Sequence, residues 1–211
     1  MSGESVPRDG RGIAGAESRV ICVFCGSRSG THPAYARAAD ALGHLIADAG
    51  HTLVYGGGSV GLMGRVADAA LARGGRVIGV IPEVMVIKEV AHRGGVEQHL
   101  VGSMHERKQR MASLADAFIA MPGGFGTFEE LFEMITWNQL GIHAKPIGLL
   151  NVEGFFDSVL DLVRHATREG FIPEASGRFL VASDSPADLL DAVLHRPIPA
   201  SPAGGLRRDE A

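Results

Sequence analysis

Pro122-Gly123-Gly124-Phe125-Gly126-Thr127-Phe128-Glu129-Glu130 is the stretch that decides the fold. It joins an apolar run, residues 117–121, to residues 127–140, where Phe128, Leu131, Phe132 and Ile135 recur on one face at helical spacing. A glycine turn that leads from a strand end into a helix lets backbone N–H groups approach an anion, and the helix N-terminus adds positive potential. Thr127 is expected to cap that helix and to offer a hydroxyl to phosphate. The spacing from Thr127 to Glu130 also fits a capping box with Glu130 at the third helical position, so this carboxylate has a structural reading beside a functional one.

The strand–turn–helix pattern recurs on both sides. Upstream, residues 19–24, 52–55 and 76–81 are short apolar runs that read as strands, and residues 33–49, 62–73 and 104–114 read as helices. The helix at 33–49 places Tyr35, Leu42, Leu45 and Ile46 on one face, with Pro33 in its first turn. Downstream, residues 146–150 and 178–182 read as strands, and 155–169 and 186–194 as helices. Residues 82–101 show no regular pattern. Strands that alternate with helices imply an α/β protein, here a Rossmann-like three-layer αβα arrangement with a mostly parallel sheet. In such sheets ligands bind beyond the carboxyl ends of the strands. Three glycine turns, at 26–30, 56–61 and 123–126, fall there.

Composition agrees with one domain. The chain has 211 residues, 45% hydrophobic and 21% charged, which suffices for a core without disulfides or metals. Residues 1–17 and 196–211 lack periodicity and are expected to be tails around a domain at 18–195. A net charge of -4 supplies no basic field for nucleic acid. No apolar run reaches the roughly 18 residues that span a membrane, and no signal peptide is legible, so a cytoplasmic location is expected.

Cys22 and Cys25 have C-x-x-C spacing. They lie in an apolar strand run, where residues three apart face opposite sides about 10 Å from each other. A disulfide needs Cα atoms within about 7 Å, so these read as core thiols and not a redox pair. The histidines form no metal set.

Gly56-Gly57-Gly58-Ser59-Val60-Gly61 fits a G-x-G-x-x-G pattern between strand and helix, with Glu83 about twenty residues on. It follows the second strand and not the first, which favours a phosphate or ribose loop over a full dinucleotide site; a purely structural turn stays open. In Met104-His105-Glu106-Arg107-Lys108-Gln109-Arg110, the cations read either as a solvated helix face or as groups that reach the crevice, and Arg suits bidentate phosphate recognition. His105 and His143 read as polar residues near the site.

Together these residues carry a resemblance. Pro122-Gly123-Gly124-x-Gly126-Thr127-x-x-Glu130, preceded by Met104-His105-x-Arg107-Lys108, resembles the Lonely guy family, the cytokinin riboside 5′-monophosphate phosphoribohydrolases, whose members were often mislabelled lysine decarboxylases. The likeness spans residues 19–194 and includes Cys25-Gly26-Ser27, Tyr55-Gly56-Gly57-Gly58 and Thr136-Trp137-Asn138-Gln139-Leu140. It implies that Arg107 and Glu130 are catalytic, and that Glu89, Lys108, Gly124, Phe125, Gly126, Thr127 and Thr136 bind substrate. Ser27, Gly57, Gly58 and Met104, from the matching stretches, complete the expected substrate set. The resemblance further implies a homodimer, a nucleoside 5′-monophosphate substrate, and neither cofactor nor metal. The expected reaction is hydrolysis of the N-glycosidic bond to free base and ribose 5-phosphate. Residues 83–95 depart from the family: Glu89 is kept, but the usual Pro-Arg before it is absent. A non-catalytic nucleotide-binding or carrier protein on the same fold is the alternative. A lysine decarboxylase is disfavoured, because neither Lys108 nor Lys145 resembles an anchor for pyridoxal phosphate.

Overall fold

Strand β1 (Val20–Phe24) runs through the middle of a seven-stranded sheet. The computed structural model describes residues 17–86, 91–92, 94–174, 176 and 180–195. The expected tails, apart from Glu17, and the candidate residue Glu89 lie outside the described residues. The remaining strands are β2 (Thr52–Tyr55), β3 (Val77–Pro82), β4 (Glu97–Val101), β5 (Ala117–Ala120), β6 (Ile147–Leu150) and β7 (Leu180–Ser183). Their order is β4-β3-β2-β1-β5-β6-β7, and every neighbouring pair is parallel. The chain therefore winds outward in one direction to β4, then returns to the centre and winds the other way. The reversal lies between β1 and β5, where an open α/β sheet leaves a crevice beyond its strand ends.

Helices cover both faces. One layer holds α1 (Pro33–Asp48), α2 (Gly61–Ala72) and α7 (Pro186–His195), which pack on Ile21, Val23, Leu53, Tyr55 and Ile119. The other holds α4 (Met104–Leu114), α5 (Phe125–Gln139) and α6 (Asp157–Arg168), against Cys22, Phe24, Val54, Phe118 and Leu149. Alternate residues of each strand thus enter alternate layers, as the pleat demands. Leu42 and Ile46 show why α1 docks: both are fully buried, and each contributes about 1.5–3 kcal/mol over an exposed position. Cys22 and Cys25 fall in opposite layers and are unbridged, as their spacing on a strand requires.

Two elements near the sheet edge escape the sequence reading. The irregular stretch 82–101 contains a one-turn helix, α3 (Glu83–Val86), and β4. β4 is an edge strand with exposed Glu97 and Leu100, so it lacks the apolar run of a central strand. Arg76 grips Glu97 from the neighbouring strand at 2.7 Å. Charge on an edge strand of this kind discourages further pairing. Helix α5 also begins two residues earlier than expected, at Phe125.

Candidate active site

The site is built at the carboxyl ends of β1, β2 and β5. The β1 turn and the β5 turn are tied together, since Gly26 N–H donates to Pro122 O at 3.0 Å. Between them opens a cleft of about 340 Å³, lined among others by Gly26, Ser27, Arg28, Tyr35, Gly124 and Phe155. Arg28 contributes a cation that the sequence reading left in an ordinary turn; its position between Gly26 and Gly30 was the available signal.

Because α5 starts at Phe125, its N-cap is Gly124, which has no side chain to bond the first-turn N–H groups. Those donors have no partner within the helix. The capping-box expectation is therefore overturned: Thr127 is the third residue of the helix and Glu130 the sixth. A glycine that turns extended at position 124 starts the helix early, and Thr127 is drawn inside, only 3% exposed. Its hydroxyl fills the space beside Gly123, where an added Cβ would lie 2.1 Å from Oγ1. At Gly124 and Gly126 the reverse holds: a Cβ would meet nothing within 4 Å. Packing does not require these two glycines, and open space stands over the uncapped helix end.

A side-chain cap does exist, one helix earlier. Ser103 Oγ accepts from Glu106 N–H at 3.1 Å, and the Glu106 carboxylate accepts from Gly102 N–H at 2.8 Å. This fixes the head of α4 and so the heading of the two residues that follow. Arg107 turns inward. It is 8% exposed, and its guanidinium donates to Val80 O at 3.0 Å and to Gly56 O at 3.4 Å. Its Nη1 lies 3.1 Å from Glu130 Oε1 on α5. A residue larger than glycine at 56 would collide with it, since a Cβ there would sit 2.1 Å from Nη2.

Glu130 is as deeply buried as Arg107. Burial pushes its carboxyl up to about 7; Arg107 opposes the shift, and the neighbouring carboxylates of Glu129 and Glu133 reinforce it. Desolvation outweighs the ion pair because the contact is made at one guanidinium nitrogen and both side chains are largely withdrawn from solvent. A carboxyl poised near neutrality can hold or release a proton at working pH.

Lys108 is buried beside this pair but faces two other carboxylates. Its ammonium contacts Glu129 and, at 2.9 Å, Glu133. Burial alone would lower its pKa; the two hydrogen bonds outweigh that and raise it. The sequence reading did not single out Glu133. It sits one helical turn beyond Glu129, which was the available clue.

The other expected residues separate into groups. Gly57 and Gly58 follow the Gly56 carbonyl that seats Arg107, and Ser27 borders the cleft. Phe125 is 94% exposed at the head of α5, and Met104 is exposed at the head of α4. Thr136 is not on the Glu130 face: it lies on the stripe of Glu129 and Glu133, exposed, with its hydroxyl bonded to Phe132 O at 2.7 Å. His143 precedes β6, at the far end of the strands from the crevice. It packs on the Phe118 ring with centroids 5.3 Å apart, and burial lowers its pKa. Among the described residues no group of three or more His, Cys, Asp or Glu side chains is arranged to hold a metal ion. No described helix is long and apolar enough to cross a membrane.

Fold and site together define a three-layer α/β protein with an anion-receiving helix end beside a buried acid–guanidinium pair. Comparison with known proteins narrows the class. A family model described as "Possible lysine decarboxylase" matches residues 63–193. Cytokinin riboside 5′-monophosphate phosphoribohydrolase LOG2 of Arabidopsis thaliana is 49% identical over 172 residues, 82% of this chain and 81% of that protein. The enzyme LOG of Oryza sativa subsp. japonica is 51% identical over 172 residues, 82% of this chain and 71% of its own. The chain belongs to the Lonely guy family. The molybdenum cofactor carrier protein of Chlamydomonas reinhardtii shares the fold, with a TM-score of 0.64 at 22% identity over 84% of this chain and 97% of that one.

Proposed function

We propose that the protein hydrolyses the N-glycosidic bond of cytokinin adenosine 5′-monophosphates, releasing the free base and ribose 5-phosphate. The observation that carries this reading is the buried Arg107–Glu130 pair, 3.1 Å apart, beside the uncapped end of α5. The names of the relatives at about 50% identity support the same reaction.

The chemistry follows from the charges. The first-turn N–H groups at Gly124, Phe125, Gly126 and Thr127 take the 5′-phosphate, with Ser27, Gly57 and Gly58 forming the neighbouring turns. Binding energy from this remote group fixes the sugar for reaction. As the bond between C1′ and the base nitrogen breaks, positive charge develops on the sugar and negative charge on the base. The Glu130 carboxylate faces the sugar and takes a proton from the attacking water, whose oxygen bonds to C1′. Arg107 hydrogen-bonds the departing base as it gains electron density, and the proton that Glu130 took from water passes on to that base, which restores the carboxylate. Lys108 holds Glu129 and Glu133 beside the site, and Glu89, Met104 and Thr136 remain the substrate-binding residues that the family resemblance implies. No metal or cofactor takes part in this scheme.

The second copy in a homodimer covers the outer face of α5. Phe125 and Phe132 lie seven residues apart on that face, and Leu140 and Ile142 beyond its end are both more than half exposed. Sedimentation of Phe132→Glu checks this; an unchanged dimer speaks against the face. We place the reaction in the cytoplasm.

The decisive experiment incubates purified protein with AMP and with its N6-isopentenyl derivative and looks for free base by chromatography. Binding without any release of base would show a carrier in place of an enzyme. The lysine chemistry suggested by the family model's description has no support in the site. The ammonium of Lys108 is held by two carboxylates, and that of Lys145 donates to Ala112 O at 2.7 Å.

A further inference from the structure

A parallel crossover takes a dozen or more residues and is usually helical, so its backbone groups satisfy one another. Between β3 and β4 the helix that the described residues contain is the four-residue α3. The described residues outside it, Ala91 and His92 among them, find hydrogen-bond partners elsewhere. His92 collects them. Its N–H donates to Gly57 O at 3.2 Å, and its carbonyl accepts from Gln98 Nε2 at 3.1 Å. The same Gln98 amide donates to Gly57 O at 3.4 Å. Ala91 forms an isolated antiparallel bridge with Gly58.

The His92 ring is 9% exposed and engaged at both nitrogens. Nδ1 accepts from Gly94 N–H at 3.3 Å, and Nε2 lies 2.8 Å from Asp68 Oδ1 on α2. An Nδ1 that accepts from an amide leaves the proton on Nε2, so a neutral ring donates to Asp68. Asp68 itself is mostly exposed, and the ring is the buried half of the contact.

We propose that His92, anchored by Asp68 and seconded by Gln98, is a positioning residue that clips the β3–β4 crossover onto the turn Gly56-Gly57-Gly58 and thereby holds the seat of Arg107. The turn is gripped from two sides: Gly57 O takes the two clip donors, and the adjacent Gly56 O takes Arg107 Nη2. Loss of the clip frees the turn on one side, and the guanidinium loses a fixed acceptor. The clip lies in the stretch where this chain departs from the family pattern, so its own residues perform the anchoring. Its catalytic consequence rests on the hydrolytic reading above.

The test joins hydrogen exchange to kinetics on the full chain. In His92→Ala, the amides of residues 92 and 94 exchange faster than in the wild type. For AMP, kcat falls about tenfold with KM within about twofold, as expected when an oriented group is loosened without loss of a substrate contact. His92→Gln, which restores a donor toward Asp68, recovers most of the rate. The double variant His92→Ala/Asp68→Ala is no slower than His92→Ala, because both act through one contact. Unchanged exchange overturns the clip. Faster exchange with an unchanged kcat, or fully additive losses, overturns its link to Arg107. If the wild-type protein binds AMP but releases no base, the hydrolytic reading fails, and AMP affinity replaces kcat. A loss of about tenfold in His92→Ala then supports the positioning role, and equal affinity overturns it.

Discussion

Gly56 and Arg107 share one space: a Cβ at position 56 would lie 2.1 Å from the Arg107 guanidinium. The glycine at the end of β2 is thus a condition for the arginine on α4 to reach Glu130. Gly56→Ala is expected to displace the guanidinium and lower kcat about 100-fold, as a misplacement near 1 Å can. Because a long side chain gives way and not backbone, stability should fall by only about 1 kcal/mol. Steady-state kinetics and urea unfolding of the same preparation check both halves; full activity would show that Arg107 does not act from this seat.

Glu130 makes the stability depend on pH with a definite sign. Its carboxyl is raised by burial from an ordinary 4.5 to about 7 in the folded chain. The folded state therefore binds more protons between those values, and the stabilisation present below pH 4.5 is lost as pH rises through 7. The change amounts to about 3 kcal/mol. Unfolding of the wild type and of Glu130→Gln, compared across pH 4.5 to 8, should show the variant without that slope, and also without base release. Parallel curves would place the carboxyl at its ordinary value.

Gly124 and Gly126 separate binding from folding. An added methyl meets no atom at either position, so Gly124→Ala and Gly126→Ala should fold normally. Within the helix Gly126→Ala should stabilise by about 0.5–1 kcal/mol. Yet KM for AMP should rise by about tenfold or more, since the methyl takes the ground of the phosphate. Adenosine, which has no phosphate, should be turned over poorly and equally by all three proteins. An unchanged KM for AMP in both variants would move the phosphate elsewhere.

Lys108 pairs with Glu129 and Glu133 at once. Lys108→Met leaves a half-buried carboxylate without its cation, at a cost of about 1–3 kcal/mol. Adding Glu133→Gln should recover part of that loss. Chemical denaturation of the single and double variants decides the matter; strictly additive losses would mean that the two side chains do not depend on each other.

The strand–turn–helix grammar was plain in the sequence because buried parallel strands are continuous apolar runs. β1, β2 and β5 are of this kind. β4 was illegible for the opposite reason, since Glu97, Gln98 and His99 lie on an edge strand and carry no apolar signal. The start of α5 was misplaced because threonine is a stronger cap than glycine on intrinsic preference, while the chain's path out of β5 turns at Gly124. Arg107 and Glu130 could both be named from their motifs. Their contact could not, because it depends on how α4 and α5 stand on the sheet. Lys108 was expected to face substrate, and only the packed helices show that two acids on α5 hold it.

The vacant ground over Gly124 and Gly126 also makes the protein a thermometer for its own ligands. Any compound that settles there binds the folded chain alone and raises the melting temperature in proportion to the logarithm of its concentration over Kd. In Glu130→Gln, which is expected not to release base, ribose 5-phosphate, AMP and free adenine can therefore be ranked by melting temperature. The order of the three would show which end of the nucleotide the fold grips most firmly.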